Sequence, residues 1–120
     1  MRPVVHTRGE LCGDPRGHAF VSPDPRGWTS VAIIEWERSG QEWVDQHPHA
    51  EFNYVLEGTL FVEAGGETVE VPTGSVVEVG SGVRGRYRAP VHARMLAIYG
   101  PNPTGAPSTV IGLRSLPGPS

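Results

Sequence analysis

Residues 45–51 read Asp-Gln-His-Pro-His-Ala-Glu, so acids and imidazoles fall at every second position: Asp45, His47, His49 and Glu51. Side chains of an extended chain alternate between faces, and these four would then share one. Pro48 interrupts the run, because it has no backbone donor for a neighbouring strand, and this predicts the tip of a loop between two strands. Imidazole with carboxylate suits zinc, iron, manganese or nickel, and two histidines with one carboxylate leave coordination positions open for a substrate. The plainer reading of the same residues is a solvated polar loop.

The surrounding chain predicts short strands punctuated by glycine and proline. Residues 28–38 are rich in β-branched and aromatic residues and read as one long strand, ended by Ser39-Gly40; residues 42–46 form the next and lead into the His47 loop. Residues 51–56 and 59–64 are expected as two strands joined by a tight turn at Glu57-Gly58, where glycine supplies positive φ. Gly65-Gly66 turns into residues 67–71, Pro72-Thr73-Gly74 turns again into residues 75–79, and the last strand spans residues 92–99. Such regular spacing without helical periodicity predicts a closed or sandwiched all-β domain.

This pattern resembles the cupin superfamily, whose first motif is His-x-His-x3/4-Glu-x6-Gly. Glu51 and Gly58 have that separation, His47 takes the place of the second histidine, and Asp45 stands where the first would be. The second motif, Gly-x5-Pro-x-Gly-x2-His-x3-Asn, lies over residues 74–87, with Gly80 in place of the proline and Gly85 in place of the histidine. Within the superfamily, residues 51–60 followed by Gly66-Glu67-Thr68-Val69 look most like the ethanolamine-utilisation cupins called EutQ, which also lack the usual metal histidines. The resemblance implies an all-β double-stranded β-helix, a single-domain jelly-roll barrel over residues 28–101. Before it lies a turn-rich arm, residues 1–27, with a short strand at 18–22 and two Asp-Pro-Arg-Gly turns. After it comes a loosely held Pro/Gly-rich tail, residues 102–120, in which 108–113 is apolar enough to pair as an edge strand, on a second subunit if the protein forms the homodimers common among these relatives.

Composition bounds the rest. A chain of 120 residues holds one core. A net charge of -3 gives no reason to expect nucleic acid or an anionic membrane as partner. No apolar run reaches spanning length and the first residues form no signal core, so a soluble, cytoplasmic protein is expected. The lone Cys12 has no partner for a disulfide and reads as an inert thiol. All ten basic residues are arginine, which removes lysine Schiff-base chemistry.

On the motif alignment Asp45, His47, Glu51, Asn53, Gly85 and Tyr87 face the barrel interior, with His49 inside or at the rim. The missing side chain at Gly85 would leave a gap, either open on a metal or filled by a larger ligand. Arg84, Arg86 and Arg88 alternate with the inward residues and should form an outer ridge. Trp28, Trp36 and Trp43 read as core or wall residues, one of them lining the pocket mouth; His6 and His18 read as surface residues.

The expected function is that of a small-molecule enzyme performing isomerase, cyclase, dehydratase or lyase chemistry. His47 and Glu51 would serve as acid and base, with Tyr87 donating to a developing oxyanion. Asn53, His49, Trp43 and the space at Gly85 are the expected substrate contacts. One divalent ion (Zn, Fe, Mn or Ni) on His47, Glu51 and Asp45 or His49 is the expected cofactor, a metal-free cavity its alternative. Two other functions stay open: a non-catalytic ligand-binding cupin, and acetate phosphoryl transfer as the EutQ resemblance implies.

Overall fold

The computed structural model describes residues 2–12 and 17–117. Among the described residues ten strands run in chain order: β1 (Leu11–Cys12), β2 (Gly17–Val21), β3 (Ala32–Arg38), β4 (Gln41–Gln46), β5 (Glu51–Ala64), β6 (Glu67–Pro72), β7 (Val76–Val79), β8 (Arg84–Ala89), β9 (Ala93–Tyr99) and β10 (Thr109–Ser115). They form one curled antiparallel sheet ordered β1-β2-β3-β9-β5-β8-β4-β10, with β6 and β7 paired to β5 off that path. No helix among the described residues is long and apolar enough to cross a membrane.

The expected closed barrel is not what forms. The path ends in β1 on one side and β10 on the other, leaving an open half-barrel. Proline-rich segments around Pro23, Pro25 and Pro107 line the cavity, and they offer no continuous run of backbone donors to extend a ladder.

The expected turn at Glu57-Gly58 is instead a bulge inside one continuous strand. β5 runs through it unbroken, and its pairing with β9 slips between Val55 and Glu57. Gly58 keeps a positive φ of 75°, and a Cβ there would come within 2.0 Å of the His92 carbonyl oxygen. The slip has a functional consequence, because it changes which parity of residue faces inward. Before the bulge the inward residues are Glu51, Asn53 and Val55; after it they are Leu60 and Val62. A single strand thus gives polar groups to the site and apolar ones to the core, where Leu60 and Val62 pack with Val55, Val71, Val79, Tyr87 and Met95.

The outer ridge forms as alternation predicts. Gly85, Tyr87 and Ala89 of β8 are buried while Arg84, Arg86 and Arg88 are exposed. Arg86 reaches back to Glu42 at 3.3 Å, and Arg114 of β10 pairs with the same carboxylate, which is only 4 % exposed and lies well below the usual carboxylate range through these two arginines, Arg114 first, against the opposing effect of burial.

The described part of the tail, to residue 117, is tied to the rest of the sheet. Trp28 and Asn102 exchange backbone hydrogen bonds at 2.9 Å, and the buried Asn102 donates from Nδ2 to Ala106 O at 2.8 Å. The strand expected at 108–113 is observed as β10 and pairs with β4 of the same chain. Trp28 itself contributes only an isolated bridge, so the long strand begins at Ala32. The turn at Asp24–Gly27 closes as predicted, Gly27 N donating to Asp24 O at 2.8 Å; Asp14–Arg16 of the first copy and the Cys12 side chain lie outside the described residues. His6 is exposed, whereas His18 is half-buried with Nδ1 at 2.8 Å from Gly9 O.

Candidate functional site

Separate pieces of the curled sheet deliver the site residues. Asp45 lies on β4 opposite Gly85 of β8, and Glu51 and Asn53 open β5 opposite Tyr99 and Ala97 of β9. His47 sits on the short connection between β4 and β5, tied down by Gly82 N donating to His47 O at 2.8 Å and Ser81 Oγ donating to Pro48 O at 3.0 Å. The His47 ring faces inward. Its Nε2 lies 2.6 Å from Glu51 Oε2 and 3.1 Å from Asp45 Oδ2, and its Nδ1 lies 2.7 Å from Ser108 Oγ. Asn53 Nδ2 donates to Glu51 Oε1 at 3.2 Å, which leaves Oε2 facing the histidine.

Short distances here are not aligned hydrogen bonds. His47 Nε2, Glu51 Oε2 and Asp45 Oδ1 are buried, and each lacks a partner of proper hydrogen-bond geometry, although ligand atoms of the three residues lie within 4.8 Å of one another. Buried polar atoms left this way cost stability, and a guest bound among them would satisfy all three. One imidazole and two carboxylates are a donor set for a divalent metal ion, so the residues fit the group that the family resemblance implies.

Charge is arranged around the same point. Burial works against an imidazolium at His47, but the Asp45 and Glu51 carboxylates outweigh it and push its pKa up to about 10. Asp45 is raised, by burial first, with His47 pulling the other way. His49 is lowered, by burial first and by the His47 charge, against a contact to Ala50 O that favours protonation. Two imidazoles stacked 5.0 Å apart are thereby split into a charged one and a neutral one.

The triad opens onto a cavity of about 820 Å³, whose walls include Trp28, Trp36, Trp43 and Tyr99. All three tryptophans reach the cavity, where one was expected. His49 stacks on Tyr99 at 5.0 Å and meets Trp28 at 5.6 Å. It is therefore a wall residue beside the ligand cluster, which among the described residues comprises Asp45, His47 and Glu51.

The gap expected at Gly85 is filled. Tyr87 is fully buried, stacked flat on Trp43 at 5.3 Å, and a Cβ on Gly85 would meet its Cε2 at 2.8 Å and its Oη at 2.9 Å. Trp43 therefore lines the cavity wall, and no vacant pocket lies at position 85. Sequence reasoning missed Tyr99, Asn102, Ser108 and Arg38. Tyr99 was signalled by alternation with Ala93, Met95 and Ala97, buried on the same face of β9. Arg38 lines the cavity with its guanidinium 5.1 Å from the Trp36 ring and 5.8 Å from that of Trp43; Ser108 and Asn102 arrive by tertiary contacts with no local signal.

Residues 32–99 match the family model described as Cupin domain. The chain belongs to the cupin family. Proteins of known structure that it resembles include an ethanolamine utilization protein Q from Salmonella typhimurium, 27% identical with a TM-score of 0.55 over 61% of this chain and 59% of that one. EutQ of Clostridium difficile is 18% identical, TM-score 0.57, over 72% and 65%. The DMSP lyase DddQ of Ruegeria pomeroyi is 18% identical, TM-score 0.61, over 70% and 44%. This cupin spans less than two thirds of the length of each of the three, and the latter two, at that identity, establish the fold alone. No curated protein sequence matches it.

Proposed function

We propose that this cupin binds a small organic molecule in its cavity and catalyses a proton-transfer reaction on it: an isomerisation, cyclisation, dehydration or elimination centred on Asp45, His47 and Glu51. The observation that carries this reading is His47 Nε2, held 2.6 and 3.1 Å from two buried carboxylates inside a cavity of about 820 Å³. His47 and Asp45, both with shifted protonation, converge in such a pocket, an arrangement common at reacting centres. A non-catalytic binder would recover the same desolvation cost from its ligand alone.

Asp45, His47 and Glu51 would hold a divalent ion, which when bound polarises a substrate oxygen. The chain's own groups do the rest. Ser108 at Nδ1 fixes the plane of the His47 ring, and Asn53 fixes one oxygen of Glu51 so that the other points at the reacting atoms. With no ion on these atoms, His47 keeps its proton and can deliver it to a substrate oxygen while Glu51 Oε2 removes one from an adjacent carbon; with an ion there, the ion would take over the polarising role. The rings of Trp28, Trp43, His49 and Tyr99 would hold the substrate body and exclude water. Acetate phosphoryl transfer, the activity implied by the EutQ resemblance, finds Arg84, Arg86 and Arg88 exposed on the outer ridge and would have to draw on Arg38, the arginine that lines the cavity.

Deuterium exchange tests the proposal whatever the product turns out to be. A panel of small ketones and hydroxy acids is incubated with protein in D2O and followed by NMR. Wild type should speed exchange of a carbon-bound hydrogen in at least one compound and Glu51→Gln should not; equal exchange by both proteins, or none by wild type across the panel, counts against proton-transfer chemistry.

A further inference from the structure

Tyr87 is a buried group that the chemistry above leaves without a task. Its ring is 0% exposed and lies parallel to Trp43, with 6° between planes, so packing fixes where the hydroxyl points. Packing alone would be served as well by phenylalanine, because a buried phenol hydroxyl without a partner costs stability. Yet Tyr87 Oη has no hydrogen-bond partner.

Among the described residues, the buried side-chain nitrogen and oxygen atoms in that condition belong to Asp45, His47, Glu51 and Tyr87. Three of these residues form the triad. The fourth stands next to it: Oη would lie 2.9 Å from a Cβ on Gly85, and Gly85 is the cross-strand partner of Asp45. Burial first, then the charges of Glu51 and Asp45, hold the phenol above its ordinary range, so it is a neutral donor within the field of the same carboxylates.

We infer that Tyr87 is the fourth polar group of the triad's site, its hydroxyl facing the same guest and occupying the space that Gly85 leaves free of a side chain. The inference rests on the proposed function. It also narrows the ligand. A phenol O–H beside an imidazole and two carboxylates adds a donor that suits an atom with a free lone pair, the oxygen of a water, carbonyl, hydroxyl or carboxylate.

Tyr87→Phe removes the hydroxyl and little else, and two readouts should move in opposite senses. Thermal unfolding of the chelator-treated protein should occur about 4 °C higher, because an unpaired buried hydroxyl has gone. Cobalt(II) affinity, followed by visible absorption, should fall by roughly tenfold to hundredfold, the loss typical of a group supporting a metal site. Tyr54→Phe, at an exposed tyrosine on β5, should move neither. A lowered Tm in Tyr87→Phe, or wild-type cobalt affinity, overturns the inference while leaving the triad intact. Cobalt failing to bind wild type overturns the ion reading itself, and the role of Tyr87 toward an ion with it.

Discussion

Protons and divalent ions must compete for His47, and the competition has a calculable size. The ring nitrogen that faces both carboxylates is the atom an ion would take, and in the ion-free protein the imidazolium persists up to about pH 10. Binding therefore expels a proton. At pH 7, three units below that pKa, the expulsion costs about 4 kcal/mol, roughly a thousandfold in affinity. The penalty shrinks as pH rises, so apparent affinity for zinc or cobalt should climb about tenfold per unit between pH 6 and 8, close to a hundredfold in all. Titration calorimetry on chelator-treated protein, repeated in buffers of differing ionisation enthalpy, measures both the affinity and the protons released, and close to one proton per ion is expected from His47. Affinity independent of pH, with no proton released, would refute the placement of the ion site on His47.

Stability should follow the opposite course in the ion-free protein. A pKa raised from 6.5 to about 10 means that the His47 contribution is complete below pH 6.5 and disappears as pH rises through 10, so Tm should fall over that interval and the fall should vanish in His47→Gln. Ser108→Ala frees Nδ1 of His47 and should lower cobalt affinity about tenfold with under about 1 kcal/mol of destabilisation, by calorimetry and urea melts. Glu42→Ala removes the buried carboxylate shared by Arg86 and Arg114; because both arginines are partly solvated, a loss of about 1 to 2 kcal/mol is expected, with faster amide exchange concentrated in β10. Gly58→Ala forces a Cβ against a backbone oxygen at positive φ and should cost about 3 kcal/mol in urea unfolding, well beyond an ordinary glycine-to-alanine change.

The legible parts of the molecule were those governed by the two-residue repeat of a strand. Alternation put Asp45, His47 and Glu51 together and pointed the β8 arginines outward, because each lies in or beside a strand whose pairing preserves that period. It also put His49 inside or at the rim, and the ring lines the same cavity, stacked on Tyr99 beside the Asp45–His47–Glu51 cluster. Glycine at positive φ was correctly expected at residue 58, but a hairpin turn and a bulge both satisfy it, and only the pairing with β9 separates them. The cavity roof was hidden for a different reason. Residues 101–108 have the composition of a flexible tail, and what holds them is a pair of backbone hydrogen bonds from Asn102 to Trp28, some seventy residues away in sequence. Closure failed to follow from strand count because it depends on what the two outermost strands meet, and β10 meets β4 of its own chain, not β1.

Crystals soaked in zinc and measured at the zinc absorption edge test the site most directly. A single strong anomalous peak should appear about 2.0 to 2.2 Å from His47 Nε2 and from one oxygen each of Asp45 and Glu51. A peak on surface residues alone, or a triad that closes on itself and takes up no zinc at pH 8, contradicts the assignment of these three residues as one centre.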